Sequence, residues 1–175
     1  MQKEPMSVEG YDLLTKEFKF LKDIHKPEIA LEKQIAAAHG DRSENAEYHA
    51  AKEKLRHIDK RLFYLNSMIE KAVIIDPSKL DHSKVCFGSR VYLLNIDTDE
   101  EEIYTICGAL ESEVENGLIS IHSPLAKALI GKAEGDEIIL KLPKGKKEYE
   151  IEKIEYIPIF DLKKKIPTEE DFRFH

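Results

Sequence analysis

The sequence predicts an α+β protein with an N-terminal antiparallel α-helical coiled-coil hairpin, followed by a C-terminal β-sheet domain with one short helix. Two patterns predict it. Up to about residue 72, apolar residues recur at helical spacing, and from Ala51 the spacings alternate between four and three, which is typical of packed helices. From residue 89 the apolar spacing becomes two, which is typical of strands. Asp76-Pro77-Ser78 lies between the two patterns and predicts a domain boundary near residue 78.

Each helical arm has an apolar stripe. The first contains Tyr11, Leu14, Phe18, Leu21, Ile24, Leu31, Ile35 and Ala38, and the second contains Ala51, Leu55, Ile58, Leu62, Leu65, Ile69 and Ala72. Two stripes joined by a few residues must fold back on each other to bury their apolar faces, which predicts an antiparallel pair. Ser7 is the expected N-cap of the first arm, and Pro27 predicts a kink or a restart between Leu21 and Leu31.

The second domain reads as strands and one helix. The strand-like runs cover residues 89–94, 102–107, 118–121, 137–142 and 149–154. Between the third and fourth runs, Ser123 is a helix cap, Pro124 suits the first helical position and Gly131 suits the stop. Residues 158–175 show no pattern that assigns them a fold.

The turn between the two arms carries two carboxylates, Asp41 directly after Gly40 and Glu44 three residues further on. One interpretation is structural, because Asp41 or Ser43 with a following acid can cap the second helix. The other is that the two side chains supply oxygen ligands to a magnesium ion in the active site of another protein, since magnesium often takes only one or two protein carboxylates. Two ligands cannot form a complete site, so no stably bound metal is expected.

Charge placement suggests a nucleic-acid contact beside this turn. The net charge of −7 argues against a protein that coats nucleic acid through bulk positive charge. Lys52, Arg56 and Lys60 nevertheless recur every four residues, with Arg42 nearby, and form a strip that either follows a phosphate backbone or is a solvated helix face. No apolar run could span a bilayer and no leader precedes the first arm, so a cytoplasmic location is expected.

Several specific motifs follow one another along the chain. They occupy residues 7–11, 26–29, 40–48, 54–56, 58–61, 75–78, 85–89, 119–129 and 135–136. In this order they resemble the motifs of the bacterial Gre transcript-cleavage factors, the GreA/GreB transcription elongation factor family. The resemblance covers about residues 6–157 and leaves out the tail. Signatures of GreA and of GreB are mixed, so the subtype stays open.

The resemblance implies a domain arrangement and a partner. Residues 1–78 would form a coiled coil, with its acidic tip at 40–45, that enters the secondary channel of bacterial RNA polymerase. Residues 79–157 would form an FKBP-like domain that docks on the channel rim through Ser123, Pro124 and Leu125. Residues 158–175 would be an extension of unknown role.

The resemblance also implies roles at the tip. Asp41 and Glu44 would help to hold a magnesium ion shared with the polymerase, whose own active site then cleaves the 3′ end of the nascent RNA in backtracked, arrested complexes. Arg42, Lys52, Arg56 and Lys60 would lie near that RNA, and contact with DNA is left open. The chain would not be an enzyme. The alternatives are a channel-occupying regulator without cleavage activity, a coiled-coil adaptor, and a prolyl isomerase or chaperone.

Overall fold

The computed structural model describes residues 2–41 and 45–175. The helices are α1 (Val8–Phe20), α2 (Lys26–Ala37), α3 (Ala46–Lys71), α4 (Pro124–Leu129), α5 (Ile159–Leu162) and α6 (Glu169–Phe172), with a π-helical turn at Leu21–His25 and 3₁₀ turns at Pro77–Lys79 and Val114–Asn116. The strands are β1 (Glu4–Met6), β2 (Ala72–Ile74), β3 (Ser89–Asn95), β4 (Glu100–Cys107), β5 (Leu118–Ser120), β6 (Glu137–Leu142) and β7 (Gly145–Tyr156). The predicted fold class, a helical hairpin followed by a sheet domain with a short helix, is confirmed.

The chain divides into two compact units that interleave in sequence. The sheet unit contains the residues up to Gly10 together with Ala72–Ile166, and the helical unit contains Tyr11–Lys71 together with Pro167–His175. The two parts of the sheet unit are joined because β1 pairs in parallel with β2, with Pro5 opposite Val73. Strands of three residues carry no periodicity, so neither β1 nor β2 was predicted from the sequence.

The helical unit is an antiparallel pair. Ion pairs join Glu17 to Arg61, Lys26 to Asp59 and Glu32 to Lys54. As the residue numbers rise along the first arm, those of the partners on α3 fall, so the two arms are antiparallel. The predicted stripe of α3 is confirmed from Ala51 to Ile69, because Ala51, Ile58 and Leu65 are fully buried. Its last residue, Ala72, was predicted wrongly, since it lies in β2. Burial of an isoleucine or leucine side chain contributes about 1.5–3 kcal/mol.

The predicted stripe of the first arm is correct up to Leu21 and wrong beyond it. Ile24, Leu31 and Ile35 are exposed, and the buried positions are instead His25, Ile29 and Ala36. The cause is the π-helical turn, in which the N–H of Lys26 bonds to the carbonyl of Leu21, five residues back. Such a turn contains one more residue than an α-turn, so every later side chain is rotated by about 100° relative to a regular helix.

The π-helical turn is the kink or restart that was predicted between Leu21 and Leu31, and Pro27 accounts for its position. A proline inside a regular helix lacks one N–H donor and clashes with the carbonyl four residues back. Here Pro27 lies in the first turn of α2, directly after the π-helical turn. At the start of the arm, the N–H of Gly10 donates to the Ser7 hydroxyl at 3.0 Å, which confirms Ser7 as the cap.

The sheet unit is built on one mixed sheet with the strand order β5-β4-β3-β7-β6. Neighbouring strands are antiparallel except β4 and β5, which are parallel. The five predicted strands correspond to β3 to β7. One face of the sheet and helix α4 enclose a core that includes Val91, Leu93, Ile106, Leu129 and Ile151. The period of two in these strands therefore reports a sheet buried on one face.

A buried carboxylate fastens the start of α1 to this unit. Glu111 is 2% exposed and accepts hydrogen bonds from the N–H and hydroxyl of Ser7 and from the N–H of Gly108, at 2.9 Å for the last. A Cβ atom added to Gly10 would collide with the Glu111 side chain, so only glycine fits there. This role of Glu111 was not predicted, because a lone glutamate in a loop has no local signature.

Candidate functional site at the hairpin tip

The first arm ends in a tight turn. The N–H of Ala38 bonds to the carbonyl of Ile35 at 3.1 Å, and the N–H of His39 bonds to that of Ala36 at 3.2 Å. Gly40 then adopts a φ of +141°, which residues with a side chain rarely adopt. The chain thus leaves the helix axis abruptly, and Asp41 follows in an exposed, non-helical conformation. Glu44, with Arg42 and Ser43, lies outside the described residues.

Asn45 closes the tip by bonding to both arms. Its Oδ1 accepts a hydrogen bond from the N–H of Tyr48 at 3.1 Å, which is the N-cap bond of α3. Its Nδ2 donates to the carbonyl of Ala36, in the last turn of α2, at 2.6 Å. The side chains of Ala36 and Ala51, one on each arm, are both buried close to this bond in the sequence. Asn45 is thus the capping residue of α3, where the sequence had suggested Asp41 or Ser43.

The basic strip lies on the exposed surface of α3. Lys52, Arg56 and Lys60 are all exposed, and their spacing places them within about 80° around the helix. Arg56 is held by Glu53, since its Nε donates to Oε2 at 3.1 Å and its Nη2 donates to Oε1. The hydrogen bond from Arg56 lowers the pKa of Glu53 below its usual value.

The two lysines of the strip differ from Arg56. In the described part of the chain, no ion pair within 4.0 Å involves Lys52 or Lys60. Asp59, the other acid beside the strip, is occupied by Lys26 at 2.5 Å. The positive charge that the strip offers a phosphate is therefore mainly that of the two lysines.

The three predicted docking residues in the sheet unit have different environments. The Ser123 hydroxyl accepts from the N–H of Ala126 at 3.2 Å and so caps α4. Leu125 is half-buried and packs against the core of the sheet unit. Pro124 is exposed, and it is the one of the three whose side chain is mostly available to a partner.

Among residues 2–41 and 45–175, no cluster of three or more His, Cys, Asp and Glu side chains could hold a metal ion. Asp41 offers a hard oxygen donor at an exposed turn, which fits a ligand that completes a site elsewhere. Within those same ranges, no helix is both long and apolar enough to cross a membrane.

Comparison with known proteins identifies the class to which this hairpin and sheet belong. Residues 4–74 match the family model "Transcription elongation factor, N-terminal", and residues 80–156 match "Transcription elongation factor, GreA/GreB, C-term". The chain therefore belongs to the GreA/GreB family of transcription elongation factors. Factors of this family stimulate transcript cleavage by RNA polymerase and do not catalyse it themselves.

Among its relatives are proteins named transcription elongation factor GreA. The one from Nautilia profundicola is 54% identical over 156 residues, which cover 89% of this chain and 96% of that protein. The one from Helicobacter hepaticus is 51% identical over 156 residues, with the same two coverages. Among solved structures, the GreA factor homolog 1 of Thermus thermophilus covers 88% of this chain and 99% of its own, at 25% identity and a TM-score of 0.42.

Proposed function

We propose that the hairpin tip delivers Asp41 and Glu44 to the active centre of bacterial RNA polymerase, and that this stimulates cleavage of the nascent RNA in backtracked complexes. The observation that carries the proposal is that Asn45, which is not an acidic residue, makes bonds that hold the tip together. Asn45 caps α3 and ties the two arms together. Asn45, rather than Asp41, therefore makes the N-cap bond to Tyr48, and Asp41 lies exposed just before it.

The chemistry that a carboxylate can supply there follows from the metal. A magnesium ion bound between enzyme and substrate lowers the pKa of an attacking water and stabilises the leaving oxygen. Asp41 and Glu44 would each contribute an oxygen ligand, and the polymerase and the RNA phosphates would supply the others. With this sharing of ligands, the chain needs to supply only two oxygen atoms to the metal in order to stimulate the reaction.

The other parts of the molecule have supporting roles in this proposal. Lys52 and Lys60, with Arg56 and Arg42, attract the phosphates of the nascent RNA toward the tip. The hairpin enters the secondary channel of the polymerase, and Pro124 with its neighbours Ser123 and Leu125 contacts the channel rim. Relatives named GreA, which align over 89% of this chain at 51% to 54% identity, favour a GreA-type factor over a GreB-type factor.

The test is RNA cleavage in stalled, backtracked elongation complexes with the native chain and with Asp41→Asn combined with Glu44→Gln. The amide variants keep the size of each side chain and remove its charge. The matched control is Glu47→Gln, an exposed acid in the first turn of α3. The double variant should lose the stimulation while it still competes with the native chain for polymerase, and the control should retain both. Equal activity of all three chains would refute the proposal, and binding without stimulation by any of them would indicate a channel-occupying regulator.

A further inference from the structure

The last residues of the chain fold onto the helical unit, beyond the region that the family models match. The family match ends at residue 156, and the alignments with the GreA relatives cover 156 residues of this chain. The segment is a short helix, α6, opened by a capping box in which Thr168 and Asp171 bond reciprocally. Its next residues reach the π-helical turn of the first arm.

Arg173 makes the polar contact of this segment. Its guanidinium donates to both carboxylate oxygens of Glu28 and lies over the ring of Phe20, 5.1 Å from the ring centroid. Phe172 is 8% exposed, and its ring lies 6.1 Å from that of Phe20. A charged pair and an aromatic pair therefore hold the same short segment.

His25 makes the second contact. Its imidazole is 2% exposed and is stacked between the rings of Phe20 and Phe174, at centroid distances of 6.1 and 6.2 Å and with an interplanar angle of 13° on each side. The backbone N–H of Phe174 donates to its Nε2 at 2.9 Å. His25 is the last residue of the π-helical turn, and this turn determines which side of the arm its ring lies on.

This hydrogen bond defines the protonation state of His25 in the docked arrangement. A ring nitrogen that accepts a hydrogen bond carries no proton, so the ring is neutral and its proton is on Nδ1. That nitrogen lies 3.5 Å from a carboxylate oxygen of Glu28. A second proton would have to be placed on Nε2, where it would face the N–H of Phe174 and break the hydrogen bond.

We propose that Phe20, His25 and Glu28 form a tail notch that binds the chain's own residues 172–174, and that His25 is an acid-sensitive latch for this binding. The neutral imidazole accepts the Phe174 N–H and holds the segment. The imidazolium that forms as the pH falls through the range in which histidine changes charge repels that N–H and releases it.

The other charged and titratable groups around the notch determine the direction of this effect. They are Glu28 on α2, Arg173 and Glu170 in the tail, and His57 on α3, whose ring lies 6.4 Å from that of Phe174 and which is paired with Glu53. The hydrogen bond from Arg173 lowers the pKa of Glu28, so this carboxylate stays charged and paired with Arg173 between pH 5.5 and 7.5. Arg173 adds positive charge beside the ring, with its Nη1 3.5 Å from Nδ1 of His25.

Release has a structural consequence for the hairpin. The tail notch includes the end of the π-helical turn and the first turn of α2, the place where the apolar stripe of the first arm changes register. The docked tail covers the irregular backbone there and restricts its motion. Residues 21–28 should therefore exchange their amide hydrogens faster once the tail has left.

The test is hydrogen exchange of the Phe174 amide in the full chain, followed by NMR and divided by the intrinsic exchange rate at each pH. At pH 7.5 we expect the Phe174 amide to exchange at least about tenfold more slowly than its intrinsic rate. As the pH falls and the imidazole takes up its second proton, this protection should decrease by about tenfold per pH unit. In His25→Gln, whose side-chain oxygen can accept the bond but does not titrate, protection should be the same at pH 7.5 and 5.5. Glu169→Gln, an exposed substitution in the same tail, should behave like the native chain.

A further variant covers the case in which His25→Gln does not fold. Arg173→Gln should lower protection at every pH and leave the pH dependence in place. Absence of protection at pH 7.5 would overturn the notch, and protection that is equal at pH 7.5 and 5.5 in the native chain would overturn the latch. Protection that rises with chain concentration would show that the tail binds a second copy, which would overturn the intramolecular proposal.

Discussion

The side-chain amide of Asn45 donates a 2.6 Å hydrogen bond to the backbone carbonyl of Ala36, and this bond joins the beginning of α3 to the end of α2. Because the other end of the same amide caps α3, a single residue sets both the start of one helix and its distance from the other. The position of Asp41, between these two helix ends, depends on that residue.

Replacing Asn45 should therefore destabilise the hairpin in two separable steps. Asn45→Ala removes both bonds and should cost about 1–2 kcal/mol of unfolding free energy, of which the cap accounts for about 1 kcal/mol. Asn45→Asp keeps an acceptor for the cap and loses the donor to Ala36, so its cost should be smaller. Urea unfolding of the three chains measures the difference. Equal stability of Asn45→Ala and the native chain would show that the bond to Ala36 and the cap are both dispensable.

The buried Glu111 should be one of the most sensitive positions of the sheet unit. Glu111→Ala leaves the N–H and hydroxyl of Ser7 and the N–H of Gly108 without their acceptor, and we expect a loss of about 3 kcal/mol or more. Glu115→Ala, an exposed glutamate in the same loop, should change stability by less than about 0.5 kcal/mol. Thermal unfolding compares the two, and similar midpoints would contradict the structural role of Glu111.

The strip on α3 should act on RNA mainly through its lysines. Because Arg56 is paired with Glu53, Lys52→Ala with Lys60→Ala should weaken stimulated cleavage more than Arg56→Ala does. The factor concentration for half-maximal cleavage should also depend less steeply on salt, by about 0.7 in the logarithmic slope for each phosphate that the variant no longer neutralises. Measurements from low to moderate potassium chloride give this slope. A larger effect of Arg56→Ala would mean that Glu53 releases the guanidinium to the RNA.

The two cysteines should differ in reactivity. Burial raises the pKa of the Cys107 thiol to about 12, whereas Cys86 is half-buried. The reactive species is the thiolate, so at pH 8 a disulfide reagent should modify one thiol in the folded chain and two in urea. Mass spectrometry should locate the fast-reacting site at Cys86, and rapid modification of Cys107 in the folded chain would contradict its burial.

Local signals were enough for much of the fold. Ser123 followed by Pro124 predicts a helix start with no knowledge of the surroundings, and the alternation in β3 to β7 reports a sheet with one buried face. The stripe of the first arm was wrong after Leu21, because one extra residue in a π-helical turn changes the face of every residue that follows. Hydropathy alone does not distinguish that turn from a kink at Pro27.

The site was predicted in part for similar reasons. Asn45 belongs to a residue type that commonly caps helices, but Asp41 and Ser43 belong to it too, and only the distances decide between them. The binding of residues 172–174 in the tail notch could not be predicted, because the notch and the tail lie more than a hundred positions apart in the sequence. The pairing of β1 with β2 was missed because strands of three residues carry no periodicity.

The central claim, that the tip supplies ligands to a shared magnesium ion, is tested most directly by the magnesium dependence of cleavage in backtracked complexes at saturating factor. With the native chain, half-maximal cleavage should occur at a lower magnesium concentration than without a factor. With Asp41→Asn and Glu44→Gln combined, this midpoint should rise by about tenfold to a hundredfold, back toward the value without a factor. Native and double-variant chains with the same midpoint, but different maximal rates, would contradict the claim that these carboxylates bind the metal.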